Sequence, residues 1–209
     1  MAVVPNLSLV SKTNAIITPA KIPGIVRLMF LSRISPKKNL DLALRSLELV
    51  RLQKGEKIYL EIYGPAEDEA YLDECKIIAS RLPSGIEISW NGSIPPEKTA
   101  QLYATSHFLF LPTRNENYGH VIVESLQQGC PVIISDQTPW RGLEKANAGF
   151  DLSLSELNNF VAAIISILKM TDSEYRKYRE GAIEYASKNI NTDRSAAQMR
   201  SLFQRLTEK

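Results

Sequence analysis

The chain has 209 residues, 44% hydrophobic and 23% charged, enough to bury the core of one domain. Its net charge of +2 is too small to draw nucleic acid or a membrane surface through the global field, so any phosphate chemistry must come from a local cluster. Two cysteines, Cys75 and Cys130, and two histidines suggest neither a disulfide framework nor a metal site, and both cysteines read as small core residues.

Residues 1–24 carry Pro5, Pro19, Pro23 and Gly24 between short apolar runs, and read as a linker or N-terminal extension with 13–19 as a candidate short strand. No basic segment leads into an apolar run there, and no stretch approaches the about 20 apolar residues of a membrane span. A cytoplasmic location is therefore expected, with peripheral membrane association left open for a longer enzyme.

From Ile25 the pattern changes, and residues 25–209 read as one domain. Ile25–Leu31 is apolar apart from Arg27 and predicts a strand buried on both faces. Residues 39–52 predict a helix with Asn39 as its N-cap. Strands over 57–63, 86–90, 107–111 and 131–135 then alternate with helices over 67–81, 96–104 and 119–128. After Gly149 the chain reads as helical, over 155–169 with Ser155 as N-cap, 172–187 and 193–206. The alternation predicts an α/β fold, a Rossmann-like doubly wound parallel sheet of order 3-2-1-4-5, or an extension of it, with flanking helices.

In such a sheet ligands bind beyond the carboxyl ends of the strands, so residues just after each strand are informative. After the first strand stand Arg33, Lys37 and Lys38, ahead of a helix whose first amides lack intrahelical acceptors. The two lysines alone would read as solvated loop residues; Arg33 at the strand end makes an anion site an equal reading. The segment 113–120 leads from an apolar strand into another helix, and Gly119 allows the backbone to approach a ligand closely. Glu124 lies eight residues after Glu116 among Val121, Ile122, Val123 and Leu126, where a carboxylate needs hydrogen-bond donors if buried. Sugar hydroxyls would serve, and so would an arginine or bulk water. Gly64, after the second strand, can keep the crevice open, and the segment 90–94, with Asn91 and Ile94, can offer a base pocket; read alone, each is a plain turn. His107 reads as structural, while His120 adjoins the phosphate edge. Neither a Gly-x-Gly-x-x-Gly fingerprint, a P-loop nor a Gly-x-Ser-x-Gly elbow is present, which argues against a nicotinamide dehydrogenase, a P-loop ATPase and an α/β-hydrolase.

Taken in order, these segments resemble the C-terminal domain of the family-4 retaining glycosyltransferases, which have the GT-B fold. Val4-Pro5-Asn6 is similar to the family's opening Val-Pro-Asn-Gly, with Leu7 in place of glycine. Arg33 and Lys38 keep the spacing of the family's Gly-Arg-Leu…Lys-Gly segment, with Ser32 and Asn39 replacing its glycines. The stretch from Glu116 through Asn117, Tyr118, Gly119 and His120 to Glu124 resembles the family's Glu-x7-Glu motif. Gly129-Cys130-Pro131-Val132-Ile133 resembles the strand that follows it.

The resemblance implies a nucleotide-diphosphate-sugar donor (UDP, GDP or ADP), no cofactor and no metal. Arg33 and Lys38 would hold the diphosphate and stabilise charge on the leaving nucleotide. Glu116 would place the donor sugar, Glu124 would accept the ribose hydroxyls, and amides of Tyr118, Gly119, His120 and Val121 would bind phosphate or sugar. The partner would be a sugar or lipid-linked acceptor, held mainly by an N-terminal domain that this sequence lacks. The chain is thus expected to be part of a longer enzyme, with little or no turnover alone. A nucleotide-sugar-binding module, a GT-B epimerase or phosphorylase and, more remotely, a receiver-like domain are the competing readings.

Overall fold

The computed structural model describes residues 20–190; the 13–19 strand, the Val4-Pro5-Asn6 segment and the 193–206 helix lie outside the described residues. Six strands form one parallel sheet: β1 (Ile25–Leu31), β2 (Lys57–Tyr63), β3 (Ile86–Gly92), β4 (Phe108–Leu111), β5 (Val132–Ser135) and β6 (Gly149–Leu152). Their order is β3-β2-β1-β4-β5-β6, the expected order extended by one strand. The helices are α1 (Leu40–Leu49), α2 (Glu69–Ala79), α3 (Pro96–Thr105), α4 (His120–Gln127), α5 (Leu157–Lys169) and α6 (Asp172–Asn189).

Strand sequences match their places. β1, β4 and β5 are centrally paired, and Phe-Leu-Phe-Leu in β4 is buried throughout because helices cover both faces. β3, at one edge, is exposed or half-buried at every position. β6 is a correction to the sequence reading: Gly-Phe-Asp-Leu is short, opens on glycine and has no β-branched residue, and pairing with β5 makes it a strand. α1, α2 and α5 pack together, while α4 packs on α6. All six strands run parallel, and reversal of the order in which they are added, outward from β1 to β3 and then from β4 to β6, puts these groups on opposite faces.

Of the two expected caps, Asn39 keeps its position without a side-chain bond and Ser155 is displaced by Glu156. Asn39 precedes α1 in a left-handed conformation, φ 62°, and its side chain makes no cap bond. α5 begins at Leu157 without a side-chain cap, and Ser155 Oγ instead meets Ser153 Oγ at 3.0 Å. α6 is the best-capped helix, since Thr171 and Glu174 form a reciprocal capping box.

The amino end of the sheet holds a buried polar group of structural character. Lys21 is 2% exposed and its ammonium donates to the carbonyls of Ile22, Leu168 and Met170, the latter two at the end of α5, where positive charge is favoured. His107, also 2% exposed, accepts the Arg27 amide at Nδ1 (2.9 Å) and meets the Tyr175 ring edge-on. Burial, then the nearby charges of Lys21, Arg27 and Arg179, lowers its pKa to about 3. The folded state therefore keeps His107 neutral where the unfolded chain takes up a proton near its ordinary 6.5. Stability from this group is intact above 6.5 and is lost as pH falls towards 3, by up to about 1.4 kcal/mol per unit. Urea unfolding at a series of pH values should show that loss in the wild type and a flatter acid limb in His107→Phe.

Candidate functional site

The strand order reverses between β1 and β4, so the loops leaving these two strands open the crevice at their carboxyl ends. One loop runs from Ser32 through a 3-10 turn, Pro36–Lys38, to Asn39; the other runs from Pro112 to Gly119. They are sewn together. The Arg114 amide donates to Lys37 O (2.8 Å), Thr113 Oγ1 donates to the same carbonyl, and Asn39 Nδ2 donates to Pro112 O (2.9 Å). Arg114 Nε completes the clamp on Asn39 Oδ1 at 3.0 Å.

This clamp explains why asparagine can stand where the resembling family has glycine. A left-handed backbone costs asparagine less than other side chains, and here both ends of its amide are engaged. The loop presents Lys38 inward, against Glu116.

Lys38 Nζ meets Glu116 Oε2 at 2.5 Å, the two side chains being only 12% and 18% exposed. Arg33 turns elsewhere, to Glu67 Oε1 at 2.6 Å, and its side chain is 60% exposed. Lys37 is exposed and contributes its carbonyl. The three cations of the first loop thus divide into one half-buried ion pair, one surface pair and one solvated lysine. The start of α1 is less available to an anion than its sequence suggests, because the Asp41 amide donates to Tyr71 Oη, which in turn donates to the Asp41 carboxylate.

α4 begins immediately after Gly119, at φ 76°. A Cβ there would lie 2.8 Å from Ile122 Cδ1 and 3.0 Å from Glu116 Cγ, so glycine lets the Glu116 side chain pass over the helix start. By helical geometry the first amides of α4 lack intrahelical acceptors and carry partial positive charge, on the same side as Lys38. Asn117 and His120 are exposed, and the His120 ring lies edge-on to Tyr118 at 5.0 Å.

Glu124, about one turn along α4, is half-buried and lines a cavity of about 510 Å³ with Leu31, Ile94, Ala100, Tyr103 and Val121. It meets neither an arginine nor bulk solvent alone: Tyr103 Oη donates to its Oε2 at 3.0 Å. Of the segment expected to form a base pocket, only Ile94 reaches the cavity wall. Asn91 is exposed, and its amide donates to Ser89 O on its own strand. Gly64 lies against the backbone of the first loop. At φ 136° its missing Cβ would fall 1.8 Å from the Ser32 carbonyl oxygen, so it permits contact between the chain segments leaving β1 and β2.

Residues that the sequence reading passed over complete the site. Trp140 Nε1 donates to Tyr118 O at 2.6 Å and its ring packs on Tyr118, while the Glu116 amide donates to Gln137 O. Ser135 Oγ donates to Thr113 O, tying β5 to the same loop. The signal was available, since Gln137 and Trp140 also directly follow a strand. Tyr103 carried none: a tyrosine inside a helix reads as core.

Comparison with known proteins follows the same geography. A family model described as "Glycosyl transferases group 1" matches residues 21–189. The chain is 28% identical over 117 residues to a D-inositol 3-phosphate glycosyltransferase of Nocardia farcinica, covering 54% of this chain and 26% of that protein. It is 27% identical over 165 residues to a poly(glycerol-phosphate) alpha-glucosyltransferase of Bacillus subtilis, covering 77% and 23%. Among solved structures, a mutant of S. aureus TarM in complex with fondaparinux, alpha-GlcNAc-glycerol and UDP superposes with a TM-score of 0.75 at 17% identity, covering 96% of this chain and 38% of that one. The chain therefore spans about a quarter of the curated relatives it matches.

Proposed function

Because the chain belongs to the glycosyl transferases group 1 family and has its GT-B, Rossmann-like fold, we propose that it is the donor-binding half of a retaining hexosyltransferase. The donor is a nucleotide-diphosphate sugar, and the acceptor is a sugar or lipid-linked hydroxyl compound held mainly by an N-terminal half. The observation that carries this reading is the carboxylate of Glu124 in a largely apolar cavity wall, held by a phenol and, among the described residues, in no ion pair. Such a group is an acceptor suited to a nucleoside's sugar hydroxyls.

In this reading the diphosphate lies between Lys38 and the first turn of α4, and Arg33 leaves Glu67 to close over it. The Lys38 ammonium has three donors, so it can keep Glu116 and still bind a phosphate oxygen. Negative charge grows on the diphosphate as the bond from the anomeric carbon to the phosphate oxygen breaks, and these fixed donors stabilise it. The acceptor hydroxyl bonds to the anomeric carbon on the face that the leaving group departs, and its proton passes to the departing phosphate oxygen. Glu116 positions the sugar, and no protein nucleophile is needed.

Calorimetric titration of the chain with UDP, GDP and ADP tests this. One of the three should bind, and Glu124→Ala should weaken it about tenfold through loss of a charge-assisted hydrogen bond. Arg33→Ala should weaken it about threefold, less because Arg33 is exposed and screened. No binding by any of the three, or unchanged affinity in both variants, would move the site elsewhere.

A further inference from the structure

We infer that Tyr103 is a positioning residue that orients Glu124 and thereby sets the preference for a ligand bearing vicinal sugar hydroxyls. The inference rests on the reading of Glu124 just proposed and deepens it.

Tyr103 stands near the end of α3, is 2% exposed, and lines the same cavity as Glu124. A buried phenol must find a partner, and the choice of partner is informative. Tyr175, equally buried, gives its hydroxyl to the Ser106 carbonyl at 3.2 Å, a bond internal to the scaffold. Tyr103 gives its hydroxyl to a side chain in a cavity wall. Among the described residues no lysine or arginine lies in ion-pair contact with Glu124. The phenol is the side-chain contact through which α3 holds the carboxylate.

A carboxylate has two oxygens and about four acceptor positions. Tyr103 occupies one on Oε2, which holds the plane of the group and leaves Oε1 and the rest of Oε2 to a ligand. Two adjacent hydroxyls can then donate to one prealigned carboxylate. A free glutamate would have to be ordered on binding, at a cost in affinity typical of immobilising one long side chain. Burial, then the negative charge of Glu124, pushes the Tyr103 pKa well above its ordinary value, so the hydroxyl remains a donor at any working pH.

The test measures binding of UDP, GDP and ADP to the full chain, then compares the tightest of them with its 2′,3′-dideoxy counterpart in the wild type and in Tyr103→Phe. The wild type should prefer the ribonucleotide. In Tyr103→Phe that preference should fall by about three- to tenfold, with affinity for the dideoxy ligand unchanged. Equal weakening of both ligands would assign Tyr103 to the shape of the wall alone and overturn the inference, as would an unchanged preference. Loss of the folded state, judged by circular dichroism, would likewise make the hydroxyl structural. A wild type that does not distinguish the two ligands would instead overturn the reading of Glu124, and this inference with it.

Discussion

Lys38→Met should lower the affinity of the chain for its nucleoside diphosphate by about a hundredfold, the largest binding loss expected from any single side chain here. Two effects add. The variant removes a charge-assisted bond to phosphate, worth about 1.5–3 kcal/mol. It also leaves Glu116, 18% exposed and formerly paired, as an uncompensated carboxylate beside an incoming anion. Salt screens this pair weakly because both side chains are largely buried. The second effect can be separated from the first: Lys38→Met/Glu116→Gln should recover about tenfold of the loss, since the repulsion disappears while the missing cation does not. Calorimetry on the two variants reads both numbers. Unaltered affinity in Lys38→Met would mean that Lys38 serves only to neutralise Glu116.

Gly64→Ala should cost about 3–5 kcal/mol, or prevent folding, although one methyl group is all that changes. The added carbon would sit 1.8 Å from Ser32 O and 2.6 Å from Ser32 C, both backbone atoms that cannot swing aside. Relief would require parting the ends of β1 and β2, where Ser32 N donates to Tyr63 O and Ile34 N to Pro65 O, while Gly64 N is itself held to Gly92 O at the end of β3. The φ of 136° adds a penalty of its own for any L side chain. Gly92→Ala is the matched control: it also has positive φ, yet its Cβ would meet nothing within 4 Å, so only about 1–2 kcal/mol is expected. Urea unfolding curves of the two variants should separate clearly. A Gly64→Ala protein as stable as Gly92→Ala would show that the β1–β2 turn yields easily.

Much of this architecture is written in short-range pattern. The apolar run Ile25–Leu31 gives β1 to the residue, and Lys57–Tyr63 gives β2 with its alternate burial. Helix ends were less legible. α1 stops at Leu49 rather than 52, because Val50 turns extended and buries itself in the core. β6 was invisible, since Gly149, Phe150, Asp151 and Leu152 take a strand conformation only because β5 offers them a partner. At the candidate site, Lys38, Glu116, Gly119 and Glu124 stand out in the sequence by their positions after strands and around a helix start. Asn91, expected in a turn beyond its strand, lies instead within β3, which runs on to Gly92, and is exposed at the edge of the sheet.

The sequence by itself determined the alternation of strands and helices, the parallel sheet and the loops in which charge had to gather. Those features depend on neighbours a few positions away, whose spacing is printed along the chain. Tertiary structure alone decided which charges meet. Lys38 and Glu116 are separated by 78 positions, Tyr103 and Glu124 by 21, and Arg33 chose Glu67 across 34. Such pairings arise where the sheet reverses its winding order and brings distant loops to one edge, and no local periodicity records them.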